Sequence, residues 1–262
     1  MSRRSLTFAC GTDRLAGTLD MAEGTTGLLI VTGGNEVRSG AFGGQAQLAA
    51  RIAAAGHPVF RFDRRGIGDS EGENAGFRGS ANDIAAALAA FREHAPQLSR
   101  VIAFGNCDAA SALMLSGGAG TDGLVLSNPW TIDLAASGSD VAPPPPAALR
   151  ARYLEKLTNS REIMRLLRGG VDLSKLRKGL RHALRGAPTR SNLAQDMESG
   201  LAGFAGPVTI LLASEDRTAQ LFEAAWPASD PRLRRCLGAD HAYSAPPHRA
   251  WLEAELLRCL RD

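Results

Sequence analysis

Strong apolar runs of five to eight residues alternate with helix-period segments along most of this chain, and that alternation most constrains its fold. "GLLIVT" (27–32) is a continuous apolar run, as expected of a strand buried on both faces. "QAQLAARIAAAG" (45–56) is a helix ending at Gly56, a residue suited to a C-cap. "PVFRFD" (58–63) is the next strand, "RVIAF" (100–104) and "DGLVLSNP" follow, and "PVTILLAS" (207–214) lies far downstream. "RLRRCLG" reads as a last short strand and "PHRAWLEAELLRCL" as the closing helix. Ser80 with Asp83 forms a capping-box pattern that opens the helix "ANDIAAALAAFREHA". At the start, "SLTFAC" and "RLAGTLD" flank Gly11-Thr12-Asp13 and read as an antiparallel hairpin at a sheet edge. Strands separated by single helices predict a mostly parallel sheet covered on both faces, here eight-stranded.

The alternation breaks between Thr131 and Gly206. "APPPPAALR" is a stiff, polyproline-prone linker. After it, Leu173, Leu176, Leu180 and Leu184 fall on one helical face, and Tyr153, Leu157, Ile163 and Leu167 suit further helices. The expected organisation is a core of residues 1–130 and 207–262 with an inserted helical lid, 131–206. A lid there covers the strand ends, where ligands bind in open α/β sheets. The lid is also basic. Residues 147–192 hold twelve Lys/Arg and three Asp/Glu, against 18 and 24 in the rest of a chain whose net charge is +3. Those arginines read either as a solvated face or as a grip on an anionic handle: coenzyme A, a carrier protein, an acidic saccharide or a lipid headgroup. The grip predicts a KM that rises with salt.

Four cysteines without metal-ligand spacing, at 10, 107, 236 and 259, read as reduced thiols, and the start lacks the apolar region of a signal peptide. The expectation is a cytoplasmic protein with no metal, no cofactor and no transmembrane segment. The loop "TGGNEVRSGAFGG" fits neither a dinucleotide fingerprint nor a P-loop, so nucleotides are excluded. No nucleic-acid partner is expected either.

The chemistry centres on "FGNCDAAS". Gly105-Asn106-Cys107-Asp108-Ala109 fits the strand–turn–helix elbow G-x-S-x-G with Cys for Ser and Ala for the last Gly. Such a turn puts the sulfur at a helix N-terminus, a position that lowers a thiol pKa. Alone, Cys107 would be read as a buried small residue. Downstream partners in the right chain order change that reading. Asp216 directly follows the strand "PVTILLAS", and His241 follows the last strand, in "GADHAYS". Glu215, Asp133 and Asp240 are the competing acids. His57, His94, His182 and His248 are less well placed as bases. The backbone N–H groups of Asp108 and of Gly34, with Asn35 beside it, are the expected oxyanion donors. Removing one such donor typically costs about 2.7–4 kcal/mol in the barrier. Trp130, Tyr153 and Arg65 are candidate substrate contacts, although "DRRGIGDS" (63–70) reads mainly as a structural turn near the site.

Together these stretches place the chain among sequences that look like α/β hydrolases. "VTGGNEVRSG", "FRFDRRGIGDSEG", "FGNCDAASA", "LSNPW", "SREIMRLLRGGVDL", "EDRTAQLF" and "GADHAYS" resemble the exosortase A system-associated hydrolase 1 family from about Ser5 to Leu260. The resemblance implies the α/β-hydrolase fold and a Cys-dependent hydrolase linked to bacterial exopolysaccharide and protein-sorting systems, with Cys107, Asp216 and His241 as its triad. An ester or thioester is the expected substrate. An acyltransferase on the same triad and a non-catalytic scaffold are the alternatives.

Overall fold

A computed structural model describes residues 2–132 and 192–261. Eight strands form one sheet in the order β1-β2-β4-β3-β5-β6-β7-β8. They are β1 (Arg3–Cys10), β2 (Asp13–Asp20), β3 (Thr26–Val31), β4 (Val59–Phe62), β5 (Arg100–Asn106), β6 (Gly123–Ser127), β7 (Val208–Ala213) and β8 (Leu233–Cys236). The first two pair as an antiparallel hairpin with Cys10 opposite Asp13, and β2 pairs antiparallel to β4. Every later pairing is parallel. This is the expected mostly parallel α/β-hydrolase sheet.

Helices cover both faces because successive side chains of a strand point to opposite sides. In β3, Leu29 and Val31 enter one core cluster with side chains of α2 (Ala81–His94) and α3 (Asp108–Leu115). Leu28 and Ile30 enter the other, with α1 (Gly44–Ala54) and the C-terminal helix. Three further helices are α4 (Asn192–Ala202), α5 (Arg217–Ala225) and α6 (Pro246–Arg261). The sequence reading assigns no helix to the short stretch "RTAQLFEAA" (217–225). It forms on an N-cap at Asp216 and buries Ala219 and Phe222.

Two expectations change. Ser80 takes up helical backbone angles and makes no side-chain cap. Its hydroxyl instead donates to the Gly76 carbonyl and accepts from Arg64, while Asp83 binds the backbone N–H and Nε of Arg65. The end of the expected lid also belongs to the core packing. Leu193, Met197 and Leu201 of α4 join the same cluster as α3. A Cβ at Gly200 would stand 2.2 Å from the Met114 carbonyl, so only glycine allows α4 this close. The proline linker, the leucine face 173–184, the basic run, Asp133, His182 and Tyr153 lie outside the described residues. No described helix is long and apolar enough to cross a membrane.

Candidate active site

One residue separates the end of β5 from the start of α3, and it is Cys107, with φ 61° and ψ −127°. An L-residue held there costs on the order of 1–3 kcal/mol, so the surroundings must impose it. They do so through the backbone. Cys107 N–H donates to the Ser127 carbonyl (3.0 Å), and the Cys107 carbonyl accepts from Ser111 N–H and Trp130 N–H (3.3 Å each). Strand and helix approach so closely that a Cβ at Gly105 would lie 2.7 Å from the backbone of Ala109. That crowding is why "GNCDA" carries small residues at both flanks. The sulfur is left partly exposed.

His241 meets it from the turn after β8. Its Nδ1 lies 2.9 Å from Asp216 Oδ2, and its ring stands close enough to the Cys107 side chain to interact with it. The bond to Asp216, then the interaction with Cys107, raise its pKa to about 10 against the opposing effect of burial. His241 therefore holds a proton at neutral pH. Asp216 is buried and used three ways. Besides the imidazole, its carboxylate accepts from Thr218 N–H (3.2 Å) and Ala219 N–H (3.1 Å), capping α5. The competitors are placed differently. Glu215 is exposed. Asp240 is exposed and accepts from the N–H groups of Ala242 and Ser244 within its own turn. His57 Nδ1 lies 3.0 Å from the Thr26 carbonyl, at the start of β3.

A pair of asparagines that the sequence reading passed over supports the histidine. Asn106 Nδ2 donates to the His241 carbonyl (3.2 Å) and lies 3.5 Å from its Nε2. Asn128 is fully buried, donates to Asn106 Oδ1 (3.0 Å) and accepts from Ala213 N–H (2.8 Å). The available signal was an asparagine directly after a strand, in "LSNP", a residue type that tolerates the positive φ of 44° found there. Tyr243 closes the floor with its hydroxyl 3.0 Å from Ser127 Oγ, and burial raises its pKa. Next to His241 opens a cleft of about 130 Å³. Leu48, Phe104, Tyr243 and Leu252 give it apolar walls, and Glu36 and Arg249 add charge.

The loop after β3 departs from expectation. Gly34 N–H is not directed to an empty oxyanion position. It donates to Asp108 Oδ1 at 2.6 Å. Asp108 N–H keeps its place in the first turn of α3. Asn35 is exposed, and its side-chain oxygen accepts from Asn74 (3.0 Å). Arg65 is turned to Asp83 (2.6 Å), which occupies the guanidinium that was expected to meet substrate. Its neighbour Arg64 is the one at the elbow, 3.5 Å from Asp108 Oδ2. Two adjacent arginines give no sequence signal for which one turns inward. Trp130 is fastened beside Cys107. Its carbonyl accepts from Ser111 Oγ (2.8 Å) and its indole N–H donates to the Ile132 carbonyl (2.7 Å).

Residues 26–221 match the model of the Hydrolase_4 family, described as serine aminopeptidase, S33. A search of curated proteins gives no match. Among solved structures, the chain is similar to the α/β hydrolase GrgF from Penicillium sp. sh18, at TM-score 0.64 and 16% identity, covering 100% of this chain and 98% of that one. It is also similar to the Pyrococcus furiosus esterase Pf2001 (TM-score 0.59, 14% identity, 99% and 90% covered). A third is XC6422 from Xanthomonas campestris, described as an α/β serine hydrolase without a lid (TM-score 0.58, 14% identity, 100% and 94% covered). With the sheet order, the elbow and a family match over most of its length, the chain belongs to the Hydrolase_4 (serine aminopeptidase, S33) family of α/β hydrolases, and it carries cysteine at the elbow.

Proposed function

We propose that this protein is a Cys-dependent hydrolase that cleaves an ester or thioester through an acyl-thioenzyme. The observation that carries the reading is the left-handed elbow at Cys107 with His241 beside it and hydrogen-bonded to Asp216. The proton that leaves the sulfur is held on His241. The sulfur attacks the carbonyl carbon, the C–O or C–S bond to the leaving group breaks, and His241 protonates that group. Neutral His241 then takes a proton from water, whose oxygen attacks the thioester and releases the acid. Asp216 keeps Nδ1 engaged, so Nε2 does this work. Asp108 N–H supports the oxyanion. Activated esters and thioesters suit a sulfur nucleophile better than unstrained amides. The esterase Pf2001 among the similar folds favours ester chemistry.

The four unpaired thiols support a reducing, cytoplasmic setting. The resemblance carried by "FGNCDAASA" and its companion motifs supports a role beside bacterial exopolysaccharide and exosortase systems. The basic run at 147–192 supports an acyl substrate with an anionic handle. Intact-mass analysis tests the chemistry, offering a panel of acyl-CoA and aryl esters to the wild type and to His241→Ala. The expected result is one acyl group on the peptide containing Cys107, accumulating in His241→Ala and missing from Cys107→Ala. Acyl groups on a serine, or none on any residue, would refute the cysteine mechanism. Transfer of the label to an added alcohol or amine in preference to water would identify an acyltransferase.

A further inference from the structure

The carboxylate of Asp108 does not serve its own helix. The residue before α3 makes no side-chain cap, and Asp108 reaches across to the loop after β3. There Oδ1 accepts from Gly34 N–H at 2.6 Å, and Oδ2 stands 3.5 Å from the Arg64 guanidinium. Space for it is reserved, since a Cβ at Gly33 would fall 2.7 Å from Oδ1. The Arg64 side chain is only 3% exposed. It is anchored by Ser80 Oγ (3.0 Å) and the Gly34 carbonyl, and its Nε has no partner. A backbone N–H and a buried cation thus converge on one carboxylate, one residue from the nucleophile.

We propose that Gly34 N–H and Arg64 form an anion-binding subsite and that Asp108 is its built-in occupant, displaced during turnover by an anionic oxygen of the substrate. This rests on reading Cys107 as the nucleophile. Charge sets the class of ligand. Moving Asp108 away leaves the buried Arg64 with a weaker partner, which is costly. A neutral group does not restore the balance, whereas an anionic oxygen does. Two sources supply one: a carboxylate on the substrate, or the oxyanion of the tetrahedral intermediate. In the second case the subsite opens only as charge develops, and its binding energy goes to the transition state.

Alkylation of Cys107 separates these sources without requiring turnover. Iodoacetate and iodoacetamide place the same carbon on sulfur and expel iodide, and only the first carries a carboxylate. Rates at the Cys107 peptide are read by mass spectrometry for the wild type, Asp108→Ala and Asp108→Asn. Hydrolysis of the neutral ester p-nitrophenyl acetate is measured alongside. A substrate-carboxylate site predicts that Asp108→Ala raises the iodoacetate-to-iodoacetamide rate ratio about tenfold or more, the scale of one charge-assisted hydrogen bond. An oxyanion site predicts a similar rise in kcat/KM for the neutral ester with the ratio unchanged. In both cases Asp108→Asn gains clearly less, because its amide oxygen can still accept from Gly34 N–H. Equal gains in the two variants indicate only loss of a repelling charge, and they overturn the proposal. So does Asp108→Ala that changes neither rate or slows both. Asp108→Ser replaces Asp108→Ala if the latter melts early. Absence of Cys107 alkylation in every form would instead refute the nucleophile assignment.

Discussion

Asp216→Asn and Asp216→Ala divide the work of one carboxylate between folding and chemistry. Its two oxygens meet three donors: Thr218 N–H, Ala219 N–H and His241 Nδ1. Asparagine is as good an N-cap as aspartate, so Asp216→Asn keeps α5 capped. It offers only one oxygen, however. If that oxygen caps Thr218 N–H, the NH2 group faces the imidazole and forces Nδ1 to accept. The proton then moves to Nε2, where it blocks the base. Loss of the negative charge also brings the His241 pKa down from about 10, since the Asp216 bond is the largest cause of its elevation. The expected fall in kcat is about 10⁴-fold, the scale of an orienting acid in a triad. Asp216→Ala loses the cap too and strands two buried N–H groups. That costs about 2 kcal/mol, or roughly 4–8 °C in a domain of this size. The assays are p-nitrophenyl ester hydrolysis and thermal melting on the same preparations. Asp216→Asn within tenfold of wild-type kcat would refute the orienting role. Asp216→Ala melting with the wild type would refute the cap.

At the elbow, Cys107→Gly relieves a positive φ that Cys107→Ala retains. The glycine variant should unfold at higher urea than the alanine variant, by about 1 kcal/mol after the added flexibility of its unfolded chain is counted, while both lack acyl-enzyme formation. His241 has a folded pKa raised from 6.5 to about 10. Its protonation therefore stabilises the fold fully below about pH 6.5 and ceases to do so as pH rises towards 10. Wild type and His241→Ala should differ most in urea midpoint at pH 6 and converge towards pH 10, and a difference that grows with pH would contradict the raised value.

The sheet was legible because its signals are local and strong. "GLLIVT" can hardly be anything but a buried strand, and "FGNCDAAS" encodes a crowded turn through its small residues. The grouping of Cys107, Asp216 and His241 was legible through chain order. What escaped were choices made by tertiary contact. Nothing local distinguishes Arg64 from Arg65, and only packing turns the first to the elbow and the second to Asp83. Gly34 N–H donates to Asp108, and a bond between residues 34 and 108 has no pattern in sequence. Helix α4 was assigned to a lid by its position in the chain, yet its apolar face belongs to the core beside α3.

The same helix gives the inserted segment a mechanical address. The chain leaves the sheet at Trp130, whose backbone is tied to Cys107 and Ser111 of the elbow and α3, and it re-enters through α4, seated on the far end of α3 at Gly200. Both moorings are thus on the short rod that aims the sulfur.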